Sequence, residues 1–436
     1  MITLLHLSDI HMGSGFAHGR LNPETGLNTR LEDFIAALTR CIDRALAEPV
    51  NLVLFGGDAF PDATPPPLVQ QALASQFCRL SAAGIPAVLL VGNHDQHAQG
   101  LGGASLSIYR TLGVPDVVVG DRLETHRIPT RSGPVQVVTL PWLTKSTLLT
   151  RPETEGLSMT QVNELLLDRL RVALEGEIRR LDPNIPAILL AHAMVDTASY
   201  GAERFLATGR GFTIPMAMLA RPCFDYVALG HVHRYQVLCE QPLMIYPGSI
   251  ERVDFSEETE DKGYLLVQVA KGQAQAEFCP LPVRPFKTIE VDLTQAEAPQ
   301  VRLEQAIAKA EIADVVVRCL YTLRADQVDR IDQSRLETAL AAAHTYSLQP
   351  EIKAQISRSR LPELGTDSSL DPLSALSAYL ANRNDLSDIA EGMMAAAAAL
   401  MADDSDTDLP VEDVDLVLDD IESLALEETA QQLRLL

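Results

Sequence analysis

At 436 residues, with 47% hydrophobic and 22% charged residues, the chain is too long for one ordinary core and reads as two or three soluble globular domains. No apolar run approaches a membrane span, the amino terminus lacks the basic segment of a signal peptide, and six cysteines without a C-x-x-C pair exclude a disulfide framework and a zinc ribbon, so a reducing cytoplasm is expected. A net charge of −24 argues against DNA binding by bulk electrostatics; any such contact must run through local Arg or Lys, metal ions or a partner chain.

Residues 2–7 read as a first strand, followed by Ser8-Asp9-Ile10-His11, where Asp9 and His11 can point to one side of an extended turn. Apolar residues at helical spacing run from Leu31 to Ala47, and Pro49 stops them. Asn51–Phe55 is a buried strand that delivers Gly56-Gly57-Asp58, and Pro65-Pro66-Pro67 opens a helix to about Ala83. Val88–Val91 then runs into the turn Gly92-Asn93-His94-Asp95. Strand–helix–strand alternation of this kind means an α/β fold, with parallel pairing and helices on the sheet faces.

From Val114 the texture shifts to short β-like runs at 117–119 and 135–140, then a helical period over 160–181. The strand Ala187–Ala191 ends on His192, and Tyr226–Leu229 ends on Gly230-His231-Val232-His233. Tyr246–Ser249 is another strand-end turn, and 263–269 a closing strand. Three prolines in Pro280–Pro285 mark a domain boundary, giving a first domain over 1–282. Beyond it, 288–293, helical 300–311, 315–320 and helical 326–343 suggest a small α/β domain over 286–356. A polar linker is expected at 357–370 and helices at 371–402, with Asp371 as N-cap and Pro372 at the first helical position. The tail 403–436 holds twelve acidic residues and one Arg, and reads as solvated or as a DNA-mimicking brake.

Five segments, each after a predicted strand, end in hard-oxygen or imidazole donors: Asp9 and His11, Asp58, Asn93 and His94, His192, His231 and His233. One such His is usually a packed or hydrogen-bonded turn residue; five strand ends bearing such donors point to a metal site. Two divalent ions about 3.5–4 Å apart need a bridging carboxylate and mixed donors on each side. Imidazole, carboxylate and amide oxygen without thiolate suit Mn, Fe, Zn or Ni. A neighbouring His outside the ligand set can protonate the leaving oxygen.

Asp9-Ile10-His11, Gly57-Asp58, Gly92-Asn93-His94-Asp95, His192 and Gly230-His231-Val232-His233 together resemble the calcineurin-like metallophosphoesterase superfamily. Within it, Leu5–Gly13, Tyr246–Arg252 and the domain order resemble the SbcD family of bacterial nuclease subunits, over roughly residues 1–356. The resemblance implies a four-layer αββα sandwich over 1–282, a small α/β capping domain, and C-terminal helices that dock on an SbcC-type SMC-like ATPase. It implies that Asp9, His11, Asp58 and His233 bind one metal ion, and that Asp58 bridges to a second held also by Asn93, His192 and His231. His94 would protonate the leaving group, with Asp95 positioned to orient it. The ions would be Mn²⁺, with Mg²⁺ as the alternative. The implied activity is 3′→5′ exonuclease on duplex DNA and endonuclease on hairpins and single strands, in repair and recombination, by a two-plus-two heterotetramer. The chain has no G-x-x-x-x-G-K-[ST], so any ATP dependence comes from the partner. One departure stands out: archaeal and eukaryotic relatives carry a His where this chain has Pro61.

Rival readings are weaker. A phosphoprotein phosphatase would carry an Arg where Gly57-Asp58-Ala59-Phe60-Pro61-Asp62-Ala63 has none. A small phosphodiester hydrolase has no need of the about 150 residues after Pro285, and an inactive scaffold would have lost ligands. His6 reads as a core residue, and His18, His97, His126 and His344 as surface or helix residues, His97 being the one near enough to touch substrate. Arg204 and Arg210 would meet DNA phosphates or form surface ion pairs, and the Met393, Met394 and Met401 stripe would pack helices.

Overall fold

The computed structural model describes residues 1–97, 103–144, 154–201, 212–353, 372–381 and 389–403. Its strands are β1 (Ile2–Leu7), β2 (Leu52–Phe55), β3 (Ala87–Leu90), β4 (Val117–Gly120), β5 (Glu124–Ile128), β6 (Val135–Leu140), β7 (Ala187–His192), β8 (Met194–Val195) and β9 (Thr213–Ile214). They continue as β10 (Tyr226–Gly230), β11 (Gln236–Glu240), β12 (Leu243–Tyr246), β13 (Gly263–Ala270), β14 (Gln273–Pro280), β15 (Phe286–Asp292), β16 (Val316–Arg324) and β17 (Thr345–Lys353). Two six-stranded sheets, ordered β14-β13-β1-β2-β3-β4 and β11-β12-β10-β7-β6-β5, face each other.

The uninterrupted apolar strands follow from burial on both faces. In β2, Leu52 and Leu54 enter the core between the sheets, while Val53 and Phe55 pack under the outer helices. In β7, Ile188 and Leu190 turn inward, and Leu189 and Ala191 turn outward. Helices Thr29–Ala47 and Pro67–Ala82 cover the first sheet with Phe34, Leu38, Leu73 and Phe77. Helix Met159–Ile178, started by a Ser158–Gln161 capping box, covers the second with Leu166, Leu170 and Leu174. Each such side chain contributes roughly 1.5–3 kcal/mol by burial. The result is the expected αββα layering.

A third sheet, β15-β16-β17, is parallel throughout and packs its own core of Val291, Leu303, Ile307, Val317 and Leu336 under helices Pro299–Lys309 and Gln333–Ala339. Arg284 joins it to the sandwich by a two-pronged bond to Asp33, 2.8 Å on each arm. His344 adds a 2.7 Å bond to Thr29. Residues 1–353 form one compact unit, and 354–436 cluster separately. In the second unit, Pro372–Ala381 and Ala390–Asp403 are helical. Asp371, the linker 357–370 and the tail beyond Asp403 lie outside the described residues.

Three sequence expectations change. The strand at 263–269 is not the closing one, because β14 pairs along it. The helix expected over 326–343 is a 3₁₀ turn, Ala325–Arg330, then Gln333–Ala339, where Asp332 caps a fresh start. Beyond it, β17 follows where no strand was expected. No helix among the described residues is long and apolar enough to cross a membrane.

Candidate metal centre

Parallel pairing of β1 with β2, β2 with β3, and β7 with β10 sends their carboxyl ends to one edge of the sandwich. The chain turns sharply there: φ is +52° at Asp9, +47° at His11, +58° at Asp58 and +108° at His231. Left-handed backbone at non-glycine residues costs on the order of 1 kcal/mol or more each and persists only where the surroundings hold it. Here the Asp9 N–H donates to the Gly57 carbonyl at 2.9 Å, the His11 N–H to the Asp58 carbonyl at 3.0 Å, and the His231 N–H to both Asp9 oxygens at 3.1 Å. Gly92 must be glycine because a Cβ would sit 2.1 Å from Asp58 Oδ1.

Two groups of buried donors result: Asp9, His11 and His233, and Asp58, His192 and His231, each with its donor atoms within 4.8 Å of one another. Asp58 Oδ2 lies 3.3 Å from His192 Nε2 and 3.7 Å from His11 Nε2, between the groups. Asn93 Oδ1 lies 3.0 Å from both His192 Nε2 and His231 Nδ1.

The protons show what the site is shaped for. His192 Nδ1–H donates to the Gly56 carbonyl at 2.7 Å, so its Nε2 aims a lone pair at Asn93 and Asp58 oxygens, which bring no proton. His233 Nδ1–H donates to Glu257 Oε1 at 2.6 Å, leaving its bare Nε2 3.0 Å from His11 Nε2. Lone pairs gathered this way suit divalent cations. In the protein alone a proton substitutes: burial opposes charge on His192, but the Asp58 carboxylate pushes its pKa up to about 9. Burial pushes Asp9 up to about 6 and holds His11 and His231 well below the ordinary imidazole range.

The calcineurin-like phosphoesterase family model matches residues 2–235. The chain belongs to that family. This phosphoesterase is 28% identical over 299 residues to the uncharacterized metallophosphoesterase YhaO of Bacillus subtilis strain 168, covering 68% of this chain and 64% of that one. It is 30% identical over 332 residues to the SbcD subunit of the SbcCD nuclease of Rhodobacter capsulatus, covering 71% and 76%. It is 28% identical over 323 residues to the DNA double-strand break repair protein Mre11 of Haloferax volcanii, covering 73% and 60%. The chain thus spans less than two thirds of the Bacillus and Haloferax proteins. The family makes it a phosphoesterase, and the two donor groups are its candidate dimetal centre.

His94 stands beside the phosphoesterase centre, outside both donor groups. Its N–H donates to Asp58 Oδ1 at 2.8 Å, and its ring Nδ1 donates to the Pro61 carbonyl at 2.8 Å. Asp95 does not orient it, contrary to expectation. Its carboxylate turns back to accept the N–H groups of Gly92 (2.9 Å), Asp58 (2.9 Å) and Ala59 (3.0 Å), so it fixes the backbone of two ligand turns. A cleft of about 550 Å³ opens over both groups, bounded also by Ser14, Pro61, His94 and the 253–257 segment.

Three neighbours escape sequence reasoning. Glu257 holds His233 and is itself held by Lys262 at 2.7 Å. Lys262 is only 1% exposed. Trp142 lies over His231, with ring centroids 4.9 Å apart. The first two sit 24 and 29 residues from His233 in no recognisable pattern; the lone Trp was the one available signal.

His6 is a core residue as expected, accepting from Tyr226 Oη at 2.8 Å and donating to the Leu229 carbonyl at 3.1 Å between the sheets. His97 is exposed, and His126 lies on β5. His18 is in a 3₁₀ turn against Phe255 and Phe286. His344 is neither surface nor helical: it is 6% exposed, bonded to Thr29 and, at 3.2 Å, to Asp314. Arg204 and Arg210 lie outside the described residues.

Proposed function

We propose that this phosphoesterase is the Mn²⁺-dependent nuclease subunit of a DNA end-processing machine, trimming duplex ends 3′→5′ and cutting single strands and hairpins. Its partner would be an SbcC-type SMC-like ATPase, in an assembly of two copies of each. The reading is carried by the position of Asp58 between two complete donor groups, with His94 fixed beside them. Similarity to an SbcD nuclease subunit and an Mre11 supports DNA as substrate.

Asp9, His11 and His233 would hold one ion, and Asn93, His192 and His231 the other, with Asp58 shared. The ions supply Lewis-acid activation of the phosphodiester and the attacking water. His192 and His233 stay aimed because Gly56 and Glu257 take their Nδ1 protons. His94, its Nδ1–H fixed on the Pro61 carbonyl, would hand a proton from Nε2 to the leaving oxygen when the ring carries a second proton there. The β15–β17 sheet would cap the cleft and shape DNA access. The helices Pro372–Ala381 and Ala390–Asp403, with Ile389 and Met401 exposed, would give the ATPase an apolar docking face.

The test is cleavage of an end-labelled duplex by the purified chain with Mn²⁺, beside Asp58→Asn and His94→Ser. Asp58→Asn should lose cleavage and metal binding. His94→Ser should bind Mn²⁺ yet cleave about 10²-fold or more slowly. Turnover of a small phosphodiester without any cleavage of DNA would replace this reading with a small-substrate hydrolase.

A further inference from the structure

Proposed as a nuclease, the chain still needs a way to hold an anionic polymer, because it carries a net charge of −24. The catalytic cleft does not end at the donor groups. Ser256 lines it and also lines a second groove of about 940 Å³, which Arg234, Tyr235, Thr259 and Asp261 border.

Arg234 directly follows the donor His233. It is exposed and makes no hydrogen bond or ion pair among the described residues. Arg30, Arg79, Arg110, Arg284 and Arg335 by contrast each meet a carboxylate. The acids of its own groove do not neutralise it. Glu260 is taken by Lys262 at 2.8 Å, and Asp261 forms no ion pair with it.

Tyr235, 36% exposed, is stacked on Phe278 with centroids 4.4 Å apart and 25° between planes. The backbone carrying both residues is clamped. The His233 carbonyl accepts from Ser249 N–H at 3.0 Å and from Lys262 Nζ at 3.1 Å, and Gly248 packs so closely that a Cβ would meet Tyr235 N at 2.9 Å. A rigid ring backed on one face and an unspent guanidinium next to it are the two parts of a single-strand subsite: stacking for a base, charge for a phosphate.

We infer that this groove seats unpaired nucleotides flanking the scissile phosphate, with Arg234 on a phosphodiester oxygen and Tyr235 beneath a base. This rests on the nuclease reading above. A base inside an intact duplex offers no free face, so the groove favours single strands and frayed ends.

The experiment measures kcat/KM of the full chain with Mn²⁺ on an end-labelled oligothymidylate and on bis(p-nitrophenyl) phosphate, a small diester without flanking nucleotides. For Tyr235→Ala the ratio of the two should fall about tenfold, and Tyr235→Phe should restore it. Arg234→Gln should lower the ratio and flatten the slope of log KM for the oligonucleotide against log salt by about 0.7. A ratio and a salt slope held at wild-type values in both alanine and glutamine variants overturns the subsite, whether the activities hold or fall together. If the unmodified chain turns over the small diester but no oligonucleotide, the nuclease reading itself fails, and the subsite with it.

Discussion

Glu257 offers the sharpest test of how the centre is held. It is 4% exposed, and its two oxygens face different donors: Oε1 accepts from His233 Nδ1–H at 2.6 Å, while Oε2 takes Lys262 Nζ at 2.7 Å and the Val253 N–H at 3.0 Å. Burial opposes its charge, but His233 and Lys262 hold it well below the usual carboxylate range, so it is an anion. Glu257→Gln keeps the shape and removes one acceptor. If the amide NH₂ faces His233, two donors meet, and the ring must turn or move its proton to Nε2, the atom aimed at the metal. If it faces Lys262, a buried ammonium loses one of two carboxylates, keeping Glu260 at 2.8 Å. Loss of such a partner behind a ligating His weakens metal binding about 10–100-fold, or roughly 1.4–2.8 kcal/mol. Isothermal titration of the metal-free chain with Mn²⁺ measures this directly, with far-UV circular dichroism to confirm the fold. A Kd within twofold of the unmodified chain, with the fold intact, would refute the assigned role.

Two other perturbations follow from the geometry. Gly92→Ala should lower Mn²⁺ affinity at least about tenfold and destabilise by about 1–3 kcal/mol, because its Cβ meets Asp58 Oδ1 at 2.1 Å and the Asp58 nitrogen at 2.5 Å; retained metal content after dialysis would contradict this. His6 gives a pH signature: burial lowers its pKa to about 3, against a weaker opposing bond to Leu229. The unfolded chain therefore binds a proton below pH 6.5 that the folded chain refuses, and stability is full above that pH and lost as pH falls toward 3. Between pH 6.5 and 5.0 the metal-free chain should lose about 1–2 kcal/mol more than His6→Gln in urea titrations; parallel losses would count against it.

Much of the architecture is legible from strand patterning, and the failures have physical causes. The runs in β2 and β7 announce buried strands, but period alone cannot say which residues face a second sheet and which face helices. β14 escaped because Gln273-Ala274-Gln275-Ala276-Glu277 carries little apolar weight for its single covered face. β17 escaped because Pro350 argues against a strand; it survives as an edge strand, where an absent N–H is tolerated. The donors were legible because each stands at a strand end, a local signal. Glu257 and Lys262 answer to a residue far away in sequence and give none. Asp95 shows the opposite error: adjacency to His94 suggested a pair, while its carboxylate had three backbone N–H groups to satisfy.

Pro61 brings these threads together. On the sequence resemblance, archaeal and eukaryotic relatives would carry an imidazole at this position, and any role of that side chain in positioning DNA is in doubt here. The contact that fixes His94 comes from the backbone carbonyl of Pro61, which any residue would supply. Proline at this position therefore leaves the orientation of His94 intact. Pro61 lines the wall of the cleft but brings no donor to it. On the proposed nuclease reading, polar contact with a strand leaving the centre would come from elsewhere along the cleft. The guanidinium of Arg234, one residue past His233, would make it.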